Sequence, residues 1–122
     1  MSLDFSAAEA ILRFELKLSE IYNQKYELSF QSTSGKQIGL NRRALSAVGV
    51  WIENLIDPHA VGLSSTASID HYPSSRPRAH LSASHLTGPY KPKNGPGRSG
   101  NDCWYIKVRD ELDFRTLLIA YF

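Results

Sequence analysis

Five cations and three histidines fall within residues 71–101, a stretch of 31 residues with no Asp or Glu. The cations are Arg76, Arg78, Lys91, Lys93 and Arg98, and the histidines are His71, His80 and His85. Two chemistries use such a set. A metal-independent ribonuclease requires a general base, a general acid and a cation for the charge that develops on phosphorus. Plain nucleic-acid binding requires less: cations to neutralise phosphates and rings to stack on bases. Tyr72, His80, His85 and Tyr90 are the rings interleaved with these cations, and Trp104 follows shortly after. Any loop with three histidines and five cations has the parts of a ribonuclease, so composition favours the simpler use.

Other centres are poorly supplied. His80 and His85 each open an HL[ST] triplet, "HLS" and "HLT". This is similar to half of the pattern of two-histidine phosphoesterases. In that family the copies lie far apart in the chain, whereas here they are five residues apart, and an extended chain would point them to opposite faces. Asp70, Asp102 and Lys107 lack the triplet spacing of a restriction-type metal nuclease. His59, His71, His80 and Asp70 fit no short zinc pattern. No G-x-S-x-G elbow or phosphate-binding glycine pattern appears. The single Cys103 excludes an intrachain disulfide framework and suits a reducing compartment. We expect no cofactor and no metal.

Charge is unevenly placed. The chain carries +2 overall and the 71–101 segment +5, which leaves the other residues at −3. A near-neutral body with one basic segment points to a polyanionic partner. Pro73, Pro77, Pro89, Pro92 and Pro96 restrict the segment before it binds anything. Gly95, Gly97 and Gly100 allow close backbone approach. A loop this long in a compact domain is functional or disordered more often than structural.

The rest of the chain must position that segment. With 122 residues, one domain over 1–122 is expected, whole or cut from a longer protein. No signal peptide or apolar run of membrane-spanning length is evident, so a cytoplasmic location and no membrane partner are expected. "FSAAEAILRFELKLSEIYNQ" predicts a first helix, with Ser6 as cap and Glu9 completing a capping box. Its apolar stripe is wide enough that the helix is expected to be buried in the core on more than one side, the alternative being contact with a protein partner or a second copy. "KYELSFQSTSGKQIGL" predicts a hairpin. "NRRALSAVGVWIENLIDP" predicts a second helix capped by Asn41, with Arg42 and Arg43 in its first turn as a second phosphate anchor. "HAVGLSSTASID" and "RAHLSASHL" are each read as a weak strand. "DCWYIKVRD" predicts a strand with Trp104, Ile106 and Val108 facing one way and Cys103, Tyr105 and Lys107 the other. "ELDFRTLLIAYF" is read as a closing helix capped by Asp110 or Asp113, with a closing strand over "RTLLIAYF" as the alternative.

The expected architecture is a small α+β domain with a mostly antiparallel sheet. In size and charge it resembles, in kind only, the DNA-reading domains of bacterial and phage restriction and modification systems. The expected function is non-enzymatic binding of nucleic acid, DNA rather than RNA. The expected contacts are Arg42, Arg43, Tyr72, Arg76, Arg78, His80, His85, Tyr90, Lys91, Lys93 and Arg98. The alternatives are a small ribonuclease or toxin, and a protein-interaction module such as an inhibitor or immunity protein.

Overall fold

The computed structural model of the chain describes residues 2–23, 25, 27–42, 44, 46–72 and 102–122. Among these described residues two helices and six strands follow in the order α1 (Phe5–Ala10), β1 (Ser19–Asn23), β2 (Glu27–Gln31), β3 (Gln37–Asn41), β4 (Val48–Glu53), β5 (Ser68–Tyr72), β6 (Cys103–Val108) and α2 (Glu111–Tyr121). The strands form one antiparallel sheet in the order β1-β2-β3-β4-β6-β5. This is the α+β domain with an antiparallel sheet that the sequence predicts.

α1 starts two residues earlier than expected. Asp4, not Ser6, caps it, accepting from the Ala7 N–H at 2.8 Å. A π-helical turn, Ile11–Glu15, continues the helix. The chain then leaves it at Lys17, whose φ of 53° is left-handed. The apolar stripe predicts a helix through Tyr22, but Ser19–Asn23 instead forms the edge strand β1. Pairing with β2 satisfies that backbone, and tertiary pairing overrides a periodic pattern of modest strength.

The second predicted helix is also corrected. Residues 48–53 form β4, buried along nearly its whole length. Its sequence, "VGVWIE", is β-branched and aromatic, which suits a pleated surface. A strand covered on both faces reads as a continuous apolar run and imitates helical spacing. Arg42 therefore sits in a turn after β3 rather than at a helix N-terminus. A 3₁₀ turn, Pro58–Ala60, stands where part of a strand is predicted over 59–70, and β5 takes up only the last three residues of that span.

Both helices pack on one face of the sheet. Ala8, Ile11 and Leu12, with Phe114, Leu117, Leu118 and Tyr121, share a core with Leu28, Phe30, Ile38, Leu40, Val50, Ile52, Ile106 and Val108. α2, predicted from sequence, is capped by Asp110, which accepts from the Asp113 N–H at 2.8 Å. Asp113 is itself buried but satisfied: Ser64 donates to it from its backbone N at 2.9 Å and from Oγ at 2.6 Å. The β2–β3 hairpin turns at Gly35, with φ 94°, a conformation glycine adopts without strain. No described helix is long and apolar enough to cross a membrane.

Candidate nucleic-acid interface

Strand register places a second set of residues on the face opposite the helices. Tyr22 on β1, Ser29 on β2, Gly39 on β3, Trp51 on β4, Tyr105 on β6 and Asp70 on β5 stand in one row across the sheet. Beside it, Glu27, Asn41, Gly49, Lys107 and Ser68 form a second row. Gln31, Gln37, Glu53, Cys103 and Tyr72 form a third. A bulge in β1 between Glu20 and Tyr22 turns Tyr22 toward this face, since an extra residue reverses the alternation.

Three rings meet here. Trp51 lies 4.5 Å from Tyr105, tilted by 39°, and 4.9 Å from Tyr72 in an edge-on arrangement. Together with buried Cys103 they form an apolar cluster separate from the main core. Trp51 comes from β4, Tyr105 from β6 and Tyr72 from the last position of β5, so three adjacent strands hold the rings in register.

Two strand glycines make the layer possible. A Cβ on Gly49 would stand 2.0 Å from Tyr105 Oη, so the tyrosine can lie across β4 only because that position is bare. The ring reaches β3, where Asn41 Nδ2 donates to its hydroxyl at 2.9 Å. Burial raises the Tyr105 phenol above its ordinary value, against the opposing pull of the Asn41 bond. Tyr105 thus stays neutral and keeps its hydroxyl proton. At Gly39, the Glu27 carboxyl and the Ser29 hydroxyl occupy the space a side chain would take, each 3.0 Å from the Cβ position. Ser29 Oγ donates to Glu27 Oε2, and both residues are buried.

The sequence-predicted contacts scatter. Tyr72 joins the ring cluster. His71, one residue earlier on β5, points to the helix side and packs on Trp104 with centroids 4.4 Å apart. Trp104 faces the same way, with His59 at 5.5 Å and its Nε1 donating to Asn54 Oδ1 at 2.9 Å. It takes no part in the cluster. Arg42 also belongs to the helix side: it donates to Asn23 Oδ1 at 2.6 Å, and its guanidinium lies 5.0 Å from the Phe5 ring centre. Arg43, Arg76, Arg78, His80, His85, Tyr90, Lys91, Lys93 and Arg98 lie outside the described residues, as does the strand predicted within 78–86.

Sequence reasoning missed Trp51, Asn41, Glu27 and Ser29, and gave Tyr105 a face but no role. The signal was present. Gly39 and Gly49 interrupt strands otherwise rich in branched residues, and a glycine there marks the close approach of a neighbouring group. Among the described residues no three His, Cys, Asp or Glu side chains gather as metal ligands. Comparison of the chain with known protein families, with curated proteins and with solved structures found no match in any of the three.

Proposed function

We propose that this chain is a non-enzymatic nucleic-acid-binding domain, reading DNA rather than RNA. Its working surface is the ring-bearing face of the sheet together with the basic segment that links β5 to β6 in the chain. One observation carries the reading: the strands at either end of that segment bring Tyr72 and Tyr105 against Trp51. A basic segment whose two flanking strands carry such rings is a combination suited to single strands or extruded bases. Arg76, Arg78, Lys91, Lys93 and Arg98 supply the phosphate contacts, and Tyr72 supplies a ring. Such a module suits a restriction or phage-defence protein.

Fluorescence anisotropy against duplex DNA, single-stranded DNA and RNA tests this, at ~50 and ~200 mM salt, with each mixture then run on a denaturing gel. Binding that weakens steeply with salt and leaves the probe intact is expected. Cleaved probe would move the reading to a ribonuclease, and no binding at the lower salt would end it.

A second reading has its own observation. The π-helical turn and α2 border an apolar groove of about 280 Å³ lined by Ile11, Leu16, Leu118, Ile119 and Phe122, with the Arg115–Glu15 ion pair at its rim. Phe14 is 71 % exposed and Ile119 83 %. Exposed apolar surface of this kind serves protein association, the alternative weighed for the first helix beside burial in the core. Sedimentation of the parent beside a Phe14→Ser, Ile119→Ser variant tests it. Self-association lost in the variant supports the reading, and a monomer in both removes the second copy as the occupant.

A further inference from the structure

Among the described residues seven large apolar side chains are exposed, and five of them stand around one groove. Leu16, Ile119 and Phe122 line the groove between the π-helical turn and α2, and Glu15 and Arg115 pair at its rim. Phe14 adjoins Glu15 on the turn, and Leu112 precedes Arg115 by one helical turn. The core does not account for this stripe, because α2 already buries Phe114, Leu117, Leu118 and Tyr121 on its other side. Scattered apolar residues are ordinary on a surface, whereas a contiguous patch marks a contact.

Two features fit a second copy of this chain. The first is area. At ~200 Å² for a large exposed side chain, and with Leu112 75 % and Ile119 83 % exposed, the five leave roughly 500–600 Å² bare on each copy. Two such patches reach the ~1,000 Å² that a specific interface needs. The second is self-complementarity. A two-fold contact joins a patch to itself, so the patch must carry matching positions, and both a protrusion and a recess. Leu112 and Ile119 lie seven residues apart on one side of α2, so in an antiparallel pair each meets the other. Phe14, 71 % exposed, is the protrusion. The groove of about 280 Å³ is the recess, with room for an aromatic ring. Arg115 is held by Glu15 at 3.0 Å and Glu111 at 2.8 Å, so its guanidinium enters the contact already paired.

We propose that two copies of the chain join through α2 about a two-fold axis. The two α2 helices run antiparallel, Leu112 of one copy against Ile119 of the other, with the axis near Arg115 and Thr116. Phe14 of each copy fills the groove of the other. The inference rests on the association reading of this groove and names its occupant. Because the helices cover the face opposite Trp51, the pair leaves both ring-bearing faces outward.

The test is sedimentation of the full chain over a micromolar concentration series, joined to mild oxidation of two variants. Thr116→Cys lies at the axis, where helices ~8–10 Å apart bring equivalent positions within reach of a disulfide. Lys107→Cys lies on the outward face, exposed. The natural cysteine, Cys103, is buried. The parent should sediment as a dimer, Thr116→Cys should cross-link to a covalent dimer, and Lys107→Cys should not. Leu112→Ser and Ile119→Ser should each weaken the dimer about tenfold or more. Both side chains are exposed in the single chain, so these variants keep the fold. A monomer at every concentration would overturn the inference and leave only a different protein as the occupant of the groove. A dimer that needs Phe14 and Ile119 but does not cross-link at position 116 would overturn the two-fold arrangement, while the association reading stands. A dimer indifferent to Phe14, Leu112 and Ile119 would overturn both.

Discussion

Asn41 Nδ2 donates to Tyr105 Oη at 2.9 Å across an intervening strand, and the bond passes over Gly49. That relationship organises the face opposite the helices. It flattens Tyr105 onto the sheet, leaves Trp51 beside it, and requires a strand glycine that stability alone would not choose, since glycine weakens a strand interior.

Gly49→Ala should therefore destabilise despite the usual benefit of replacing glycine. The new methyl would meet Tyr105 Oη at 2.0 Å and Cζ at 2.7 Å, so the ring must swing away and give up Asn41. A loss of about 1–3 kcal/mol is expected, the common range for overpacking. Denaturant unfolding measures it. The same substitution made together with Tyr105→Ala should cost much less than the two changes summed, because the clash is gone.

Tyr121 provides a pH signature. Its hydroxyl donates to the Gln37 carbonyl at 2.5 Å and accepts from the Glu53 N–H at 3.1 Å. Burial pushes the phenol well above its ordinary value. The folded state thus favours the neutral form. Its contribution is fully present below about pH 10, the unfolded value, and is lost as pH rises beyond that. Thermal unfolding across this range should show a fall for the parent that Tyr121→Phe reduces. At neutral pH the same variant should be less stable by about 1–3 kcal/mol, the cost of leaving buried partners unpaired.

The helix side of β5 depends on a ring stack. His71 lies 4.4 Å from Trp104 between ring centres, and His59 lies 5.5 Å away. His71→Ala should cost about 0.5–1.5 kcal/mol beyond lost area, as aromatic pairs generally do, and should change Trp104 emission. Because His71 faces away from Trp51, nucleic-acid affinity should be nearly unchanged. A large loss of affinity in a stably folded His71→Ala chain would place the working surface elsewhere.

What the sequence made legible follows from where each signal arises. β6 and the β2–β3 hairpin alternate cleanly because each has dissimilar residues on its two faces, and α2 carries its own cap in Asp110. β4 hides its nature because apolar or small residues occupy both of its faces. β1 hides because its pairing with β2, and the bulge that turns Tyr22, are tertiary facts. The candidate site was legible only at Tyr72. Glu27, Asn41, Trp51 and Tyr105 lie on four different strands, and only sheet order brings them into one patch. Composition could locate the basic segment but not the face beside it.

The central claim concerns that segment and its phosphates, and the salt dependence of binding tests it most directly. The logarithm of affinity should fall with the logarithm of salt at about 0.9 per neutralised phosphate on duplex DNA, or about 0.7 on a single strand. Replacing Arg76, Arg78, Lys91, Lys93 and Arg98 together by Gln should reduce that slope by roughly 3 to 4 on a single strand and weaken binding at every salt concentration, with no change in Tm. An unchanged slope and affinity in a folded variant would contradict the account, because the cations would then not be touching phosphate.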